Sequence, residues 1–275
     1  MSPVKKKKTI WGHCLVRNEE RWVWYAINSV INYLDKILVW DTGSTDKTVQ
    51  IIKLTKSPKI SFQDYGSVTK ETFAQARQEM LKQTKADWLF LIDGDEIWTK
   101  EGISKIVETI QEKGDDIESV VVKTINFVGD VYHYQEEEAG KYEIAGKRGH
   151  YNLRAINLKI PGLHADLPHG KQGYFDSEER PIQERDPRKI LFLPVSYFHA
   201  TYLPRSSKDF EVPLRTKKRK YEVGTPLPKN TKYPEVFYLP RPKIVPSPWI
   251  KMGKIELARA AIQTPFKKLK RRILK

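Results

Sequence analysis

Residues 9–17 (TIWGHCLVR) form a nearly unbroken apolar run, the pattern of a strand buried on both faces, and end at Asn18 and the acidic pair Glu19-Glu20. Over residues 20–33 the period changes: Trp22, Ala26, Val30 and Tyr33 recur at steps of four and three, which predicts a helix. KILVW at 36–40 predicts a second strand running into DTGSTD at 41–46. Ser44 or Thr45 is the expected N-cap of the next helix, with Val49, Ile52 and Leu54 as its inner face. Ile60 to Phe62 predict a third strand. Residues 70–84 predict a helix through Phe73, Ala76, Met80 and Leu81, and a buried strand at 87–92 breaks at Asp93-Gly94-Asp95.

Strands alternating with helices over about 85 residues predict an α/β fold, a mostly parallel Rossmann-like sheet flanked by helices. Such sheets bind ligands beyond the carboxyl ends of their strands. RNEE, DTGSTD and DGDE each fall at a predicted strand end, so the three are expected to converge. Further on, 103–112 reads as helix and 118–127 and 151–158 as strands. The charged stretch 134–150 is expected to be a loop over the site, and the proline-rich stretch 160–248 extended segments and turns. In residues 249–275, Ile255, Ala258, Ile262, Phe266, Leu269 and Ile273 make one narrow apolar stripe, with Thr264-Pro265 expected to cap and restart the helix.

Charge divides the chain where the hydrophobic pattern does not. Residues 1–204 carry 29 Lys/Arg and 29 Asp/Glu, whereas residues 205–275 carry 20 and 5, so the net charge of +15 resides in the last quarter. The expected organisation is a domain at 1–204, with a donor half at about 9–115 and an acceptor half at about 116–204, and a basic extension at 205–275. Lys267, Lys268, Arg271, Arg272 and Lys275 lie mostly off the apolar stripe. Such a terminus either lies in the headgroup plane of an anionic membrane or packs its stripe on the protein's own body. The single cysteine, Cys14, excludes an internal disulfide framework and reads as a small buried hydrophobe. With no signal peptide and no window of about 18 apolar residues, the expected location is the cytoplasm, peripheral to the membrane.

The candidate chemistry centres on Asp93-Gly94-Asp95-Glu96. Carboxylates this close repel unless they are solvated or share a cation, and oxygens on a tight turn suit Mg²⁺ or Mn²⁺. Such an ion would stabilise charge developing on a departing diphosphate. Asp41 faces the same crevice or serves as an ordinary turn and cap residue, and Arg17-Asn18-Glu19 gains a ligand role only from its position.

LVRNEERW, VWDTGSTDKT and FAQARQEMLKQTKADWLFLIDGDE, in this order and spacing, resemble glycosyltransferase family 2 of the GT-A fold. The similarity is clear over about residues 10–100, weaker over 117–205, and closest to bacterial lipopolysaccharide-core glucosyltransferases. The resemblance implies an inverting enzyme that uses a nucleotide-sugar, a UDP-sugar first among the donors, and a divalent metal. It implies that Arg17 and Glu19 line the nucleotide pocket, Asp41 reads the base, and Arg77 lies near it, although ARQ replaces the more usual ARN. Asp93, with Gly94, would contact ribose or sugar and Asp95 would ligate the metal. His199, late in the chain, would join Asp95 as a metal or diphosphate ligand, with Arg205 near phosphate.

The acceptor is expected to be a glycan or a lipid-linked molecule, and its general base a carboxylate. Related sequences often carry a His-Glu pair where this chain has GLHADLPHG, with Gly170 after His169. Asp166 is therefore the candidate base, with Glu136, Glu137 and Glu138 as alternatives and His164 and His169 on the acceptor side. A metal-dependent nucleotidyltransferase would favour a Gly-rich phosphate loop that RNEE does not supply. A nucleic-acid binder would interleave aromatics with its basic residues, whereas the tail offers an aliphatic stripe, so no nucleic-acid partner is expected.

Overall fold

The computed structural model describes residues 6–69, 71–168, 173–212 and 214–273. The predicted alternation is present: β1 (Ile10–Val16), α1 (Val23–Val30), β2 (Lys36–Asp41), α2 (Thr48–Leu54), β3 (Ile60–Asp64), α3 (Phe73–Gln83) and β4 (Trp88–Ile92). β1 pairs in parallel with β2 on one side and β4 on the other, and β2 pairs in parallel with β3. The chain thus leaves β1 in one direction and returns on its other flank. The strand order reverses between β1 and β4, and that reversal opens a crevice at their carboxyl ends.

A short β5 (Glu96–Trp98) follows the acidic turn and leads into α4 (Lys100–Lys113). Thr99 caps α4 by accepting from the Gly102 N–H at 3.1 Å, with Glu101 in the first turn and Lys113 in the last, both favourable to the helix dipole. The chain then supplies β6 (Ser119–Val128), β7 (Asp130–Tyr134), the hairpin β8 (Tyr142–Ile144) and β9 (Lys147–Gly149), and β10 (Tyr151–Asn157). A second hairpin, β11 (His164–Asp166) and β12 (Gly173–Phe175), precedes the long β13 (Ile190–His199). β10 inserts antiparallel between β4 and β6, while β13 runs parallel to β6 and antiparallel to β5. The sheet order is β14-β7-β6-β10-β4-β1-β2-β3, where β14 is Thr225–Pro226.

One large core joins the sheet to α1 and α4, with Trp22, Tyr25, Phe90, Trp98 and Tyr197 fully buried. Cys14 lies within it, and burial raises its thiol well above the usual range. Packing continues across residue 204. Trp22 Nε1 donates to the Pro204 carbonyl at 2.9 Å, and Phe237 sets its ring edge against Tyr25 at 5.5 Å. The last elements are α5 (Arg215–Lys218) and α6 (Lys254–Ile273).

Four local expectations are corrected. The N-cap of α2 is Lys47, which offers no capping side chain; Asp46, one residue earlier, accepts from the first helical N–H, Thr48 N, at 2.8 Å, while the Ser44 hydroxyl is committed to Asp41 and Asn18. The inner face of α2 is Thr48, Ile51 and Ile52, with Leu54 exposed. Helix α6 runs through Pro265 without restarting, and the Thr264 hydroxyl donates back to Ala260 O and accepts from Val223 N. Residues 134–150, expected as a loop, contain the paired strands β8 and β9 and are latched to α6 through Glu136, which pairs with Arg271 at 2.8 Å and Lys268 at 3.7 Å.

Candidate active site

The three polar strand ends meet. Asn18 sits in the left-handed region (φ 52°), where asparagine is tolerated, and this turns its side chain onto the second cluster. Its N–H donates to Ser44 Oγ at 2.8 Å, and its Oδ1 accepts from Thr45 N at 2.8 Å. Glu19 N donates to Thr48 Oγ1 at 2.7 Å. Gly94 brings the third cluster against the first. A Cβ there would stand 2.8 Å from Glu19 Cγ and 3.0 Å from Val16 Cγ1, closer than side chains approach.

Asp93 and Asp95 have opposite surroundings. The Asp93 side chain is 39% exposed to the crevice, flanked by Arg77 at 3.7 Å and Arg154 at 3.5 Å. Crowding alone would raise its pKa, but the two guanidiniums, Arg154 more than Arg77, hold the carboxyl below the usual range. Asp95 is 1% exposed, with Oδ2 held by Arg205 Nη1 at 2.8 Å and His199 Nε2 at 3.3 Å. Burial again pushes upward, but Arg205 and His199 outweigh it and keep Asp95 well below the carboxylate range. Burial opposes charge on His199, yet Asp95, with Glu96 and Asp93 behind it, raises its pKa overall.

The register of β13 on β5 places the histidine: His199 is paired with Glu96, and Ala200 N donates to Asp95 O at 2.9 Å. Glu19 receives Arg215 at 2.7 Å and Arg205 at 3.3 Å, so Arg205 bridges the first and third clusters. Burial pushes the Glu19 carboxyl up to about 7 against the pull of both arginines. Arg215 also donates to the carbonyls of Asn18 and, at 2.8 Å, Arg17. Behind Asp93, Arg154 forms a buried ion pair with Glu96, whose carboxyl burial raises to about 7, and donates to Tyr197 Oη at 3.1 Å.

Glu19, Arg77, Asp93, Gly94, Asp95 and His199 therefore line or underlie one crevice, and Arg17 directly follows β1 at its carboxyl end. Asp41 borders it, but its carboxylate serves the turn, with Oδ2 accepting from Gly43 N at 3.0 Å and Ser44 N at 2.8 Å. Asp166 is exposed on β11, in a hairpin anchored to α3 where Ala165 N donates to Gln78 Oε1 at 2.7 Å. On the paired strand, Tyr174 lies within electrostatic reach of Arg77 and Asp93. His164 contacts Glu179 at 3.2 Å and the Gly162 carbonyl. His169 and Gly170 lie outside the described residues. Glu137 pairs with Lys123 at 3.5 Å, and Glu138 is exposed.

Sequence reasoning missed Arg154, Arg215 and the role of Glu96. A charged residue inside the apolar β10 was the available signal for Arg154, whereas Arg215 is one of many basic residues in its segment. Buried polar atoms of Arg17 (Nε), Arg77 (Nε), Glu19 (Oε2) and Arg205 (Nε) have no hydrogen-bond partner, the condition of a polar site built to receive another molecule. Among the described residues, no group of three or more His, Cys, Asp or Glu side chains could hold a metal alone. Asp95 Oδ2 and His199 Nε2 do form a hard-oxygen and imidazole pair. That pair fits Mn²⁺ or Mg²⁺ when another molecule's oxygens complete the shell.

The profile described as Glycosyl transferase family 2 matches residues 15–176. The SPbeta prophage-derived glycosyltransferase SunS of Bacillus subtilis is 32% identical over 101 residues, 36% of this chain and 23% of its own. A glycosyltransferase of Rickettsia typhi is 34% identical over 113 residues, 41% of this chain and 33% of its own. The matches thus span only about a quarter to a third of these relatives. Among solved structures, S. aureus TarS 1–349 aligns with a TM-score of 0.45 and 14% identity, over 70% of this chain and 60% of that one. Glucosyl-3-phosphoglycerate synthase from Mycobacterium tuberculosis aligns with a TM-score of 0.46 and 15% identity, over 77% of each chain.

Proposed function

Since the chain belongs to glycosyl transferase family 2, we propose that it transfers a hexose, with inversion, from a UDP-sugar to a glycan or lipid-linked acceptor at the cytoplasmic face of an anionic membrane. The observation that carries this reading is the convergence of Asp93, Asp95, His199 and Arg205 at the switch point of a parallel sheet. Asp95 and His199 would hold Mn²⁺ or Mg²⁺, which supplies positive charge for the departing diphosphate. Arg205 adds a fixed cation beside them and spares the site from reorganising as the phosphate charge grows. Asp93, exposed and kept ionised by Arg154 and Arg77, accepts hydrogen bonds from ribose or sugar hydroxyls. Arg17, Glu19 and Arg77 border the nucleotide, and Gly94 keeps the first and third clusters close. Asp41 supports the base-reading turn by holding its backbone N–H groups.

Asp166 accepts the proton of the attacking acceptor hydroxyl. It is exposed on a hairpin tied to the helix that carries Arg77, which suits a group that must meet a second substrate from solvent. The deciding experiment is Asp95→Asn assayed for metal-dependent release of UDP from UDP-sugars. Loss of turnover in a variant that still folds, as judged by circular dichroism at the assay temperature, supports the assignment. Full activity in the variant refutes it.

A further inference from the structure

Helix α6 is attached to the body by its charged face. Arg271 reaches Glu136 at 2.8 Å and also Glu222, Lys267 reaches Glu222 at 3.8 Å, and Ala260 and Thr264 are buried between them. The opposite face carries the apolar stripe, and it is open: Ile255 is 87% exposed, Phe266 71%, Ile273 71%, Ile262 69% and Leu269 57%. This inverts the ordinary arrangement, in which a surface helix buries its apolar side. Arg259 and Lys270, both exposed, border the ridge along one edge, and Lys251 and Lys254 lie exposed at its start. Lys275 and the side chain of Arg272 lie outside what the structure describes.

We propose that the outward ridge of α6 inserts into an anionic lipid surface, with Arg259, Lys270, Lys251 and Lys254 meeting the headgroups. This deepens the reading of a membrane-borne acceptor: the attachment is by apolar insertion, since Arg271, Lys267 and Lys268 are already spent on the protein's own glutamates. The ridge is convex, about 30 Å long and one side chain wide, hence roughly 300 Å². A stable protein interface takes about 800 Å² per partner, so a second copy is a poor occupant. A row of large apolar groups beside cations, in a segment holding all of the +15 net charge, matches an amphipathic interfacial helix. No helix among the described residues is long and apolar enough to cross a membrane.

The test is flotation of the full chain with phosphatidylcholine vesicles containing about 30% phosphatidylglycerol, against pure phosphatidylcholine. The wild type should float with the anionic vesicles, and Ile262→Glu with Phe266→Glu should lower the bound fraction by roughly tenfold or more at every salt concentration. Because both side chains face solvent, thermal midpoint and UDP-sugar turnover should be unchanged. Arg259→Gln with Lys270→Gln should weaken flotation mainly below about 0.1 M salt, where screening is slight. The proposal is overturned if the wild type does not float, or if the glutamate variant floats as well as wild type. It is equally overturned if the ridge substitutions convert a dimer to a monomer by light scattering. Flotation needs neither donor nor acceptor, so its failure is distinct from a failure of glycosyl transfer.

Discussion

His13 makes a quantitative demand on the stability of this fold. Its side chain lies 4% exposed on β1, and its Nε2 is 2.6 Å from the Thr84 hydroxyl oxygen. That hydroxyl donates to the Met80 carbonyl at 2.8 Å, so it must accept from His13, which fixes the neutral Nε2–H tautomer. Nδ1 has no partner, and burial, with Arg77 nearby, lowers the pKa to about 3. The unfolded chain titrates near 6.5. Below that value the unfolded state binds the proton and the folded state does not, so stability falls with falling pH at about 1.4 kcal/mol per unit. Between pH 7 and pH 5 the loss from this one residue is about 2 kcal/mol, an order-of-magnitude figure against a typical total of about 5–15. Glu19 and Glu96, raised to about 7 by burial, act with the opposite sign over the same window, because their folded forms take up protons first. The reading must therefore be a difference. Urea denaturation of wild type and His13→Gln at both pH values should show their stability gap moving by about 2 kcal/mol in favour of the variant at pH 5. A gap that does not move with pH would refute the buried neutral histidine.

Arg154→Met should cost about 3–5 kcal/mol by leaving the buried Glu96 carboxyl without its cation and hydrogen-bond donor, whether it stays ionised or takes up a proton, and adding Glu96→Gln should recover a large part of that. Equal melting points for the single and double variants would show that the pair is not coupled. Gly94→Ala should lower both stability, by about 1–3 kcal/mol, and UDP affinity, measured calorimetrically, because the new methyl meets Glu19 and Val16. Asp166→Asn should reduce kcat by about 10²–10⁴ while leaving the donor Kd unchanged. Lost donor binding would instead remove Asp166 from the role of base.

The alternation of strands and helices was legible because β1, β2 and β4 are each a short, nearly unbroken apolar run and the helices between them carry the 3.6 period, all within a dozen residues. The convergence of RNEE, DTGSTD and DGDE was legible for a related reason: parallel strands bring all their carboxyl ends to one edge. What holds those ends together was not. Arg215 reaches Glu19 across 196 positions and Arg154 reaches Glu96 across 58, and no local pattern marks either partner. The α6 stripe was plain in the sequence, but its direction was not. Amphipathicity states that two faces differ, and only the positions of Glu136 and Glu222 decide which one turns inward.

Arg205 and Arg215 neutralise Glu19 and Asp95 from beyond the segment that the family profile covers. A fragment trimmed to that profile, as one might prepare for expression or domain grafting, would retain two interior anions without their counterions. It would also lose His199. The residues of the proposed site and their electrostatic support are thus divided between distant stretches of the polypeptide. Under that proposal, a chimera built from this chain should carry both stretches together to keep Glu19 and Asp95 paired.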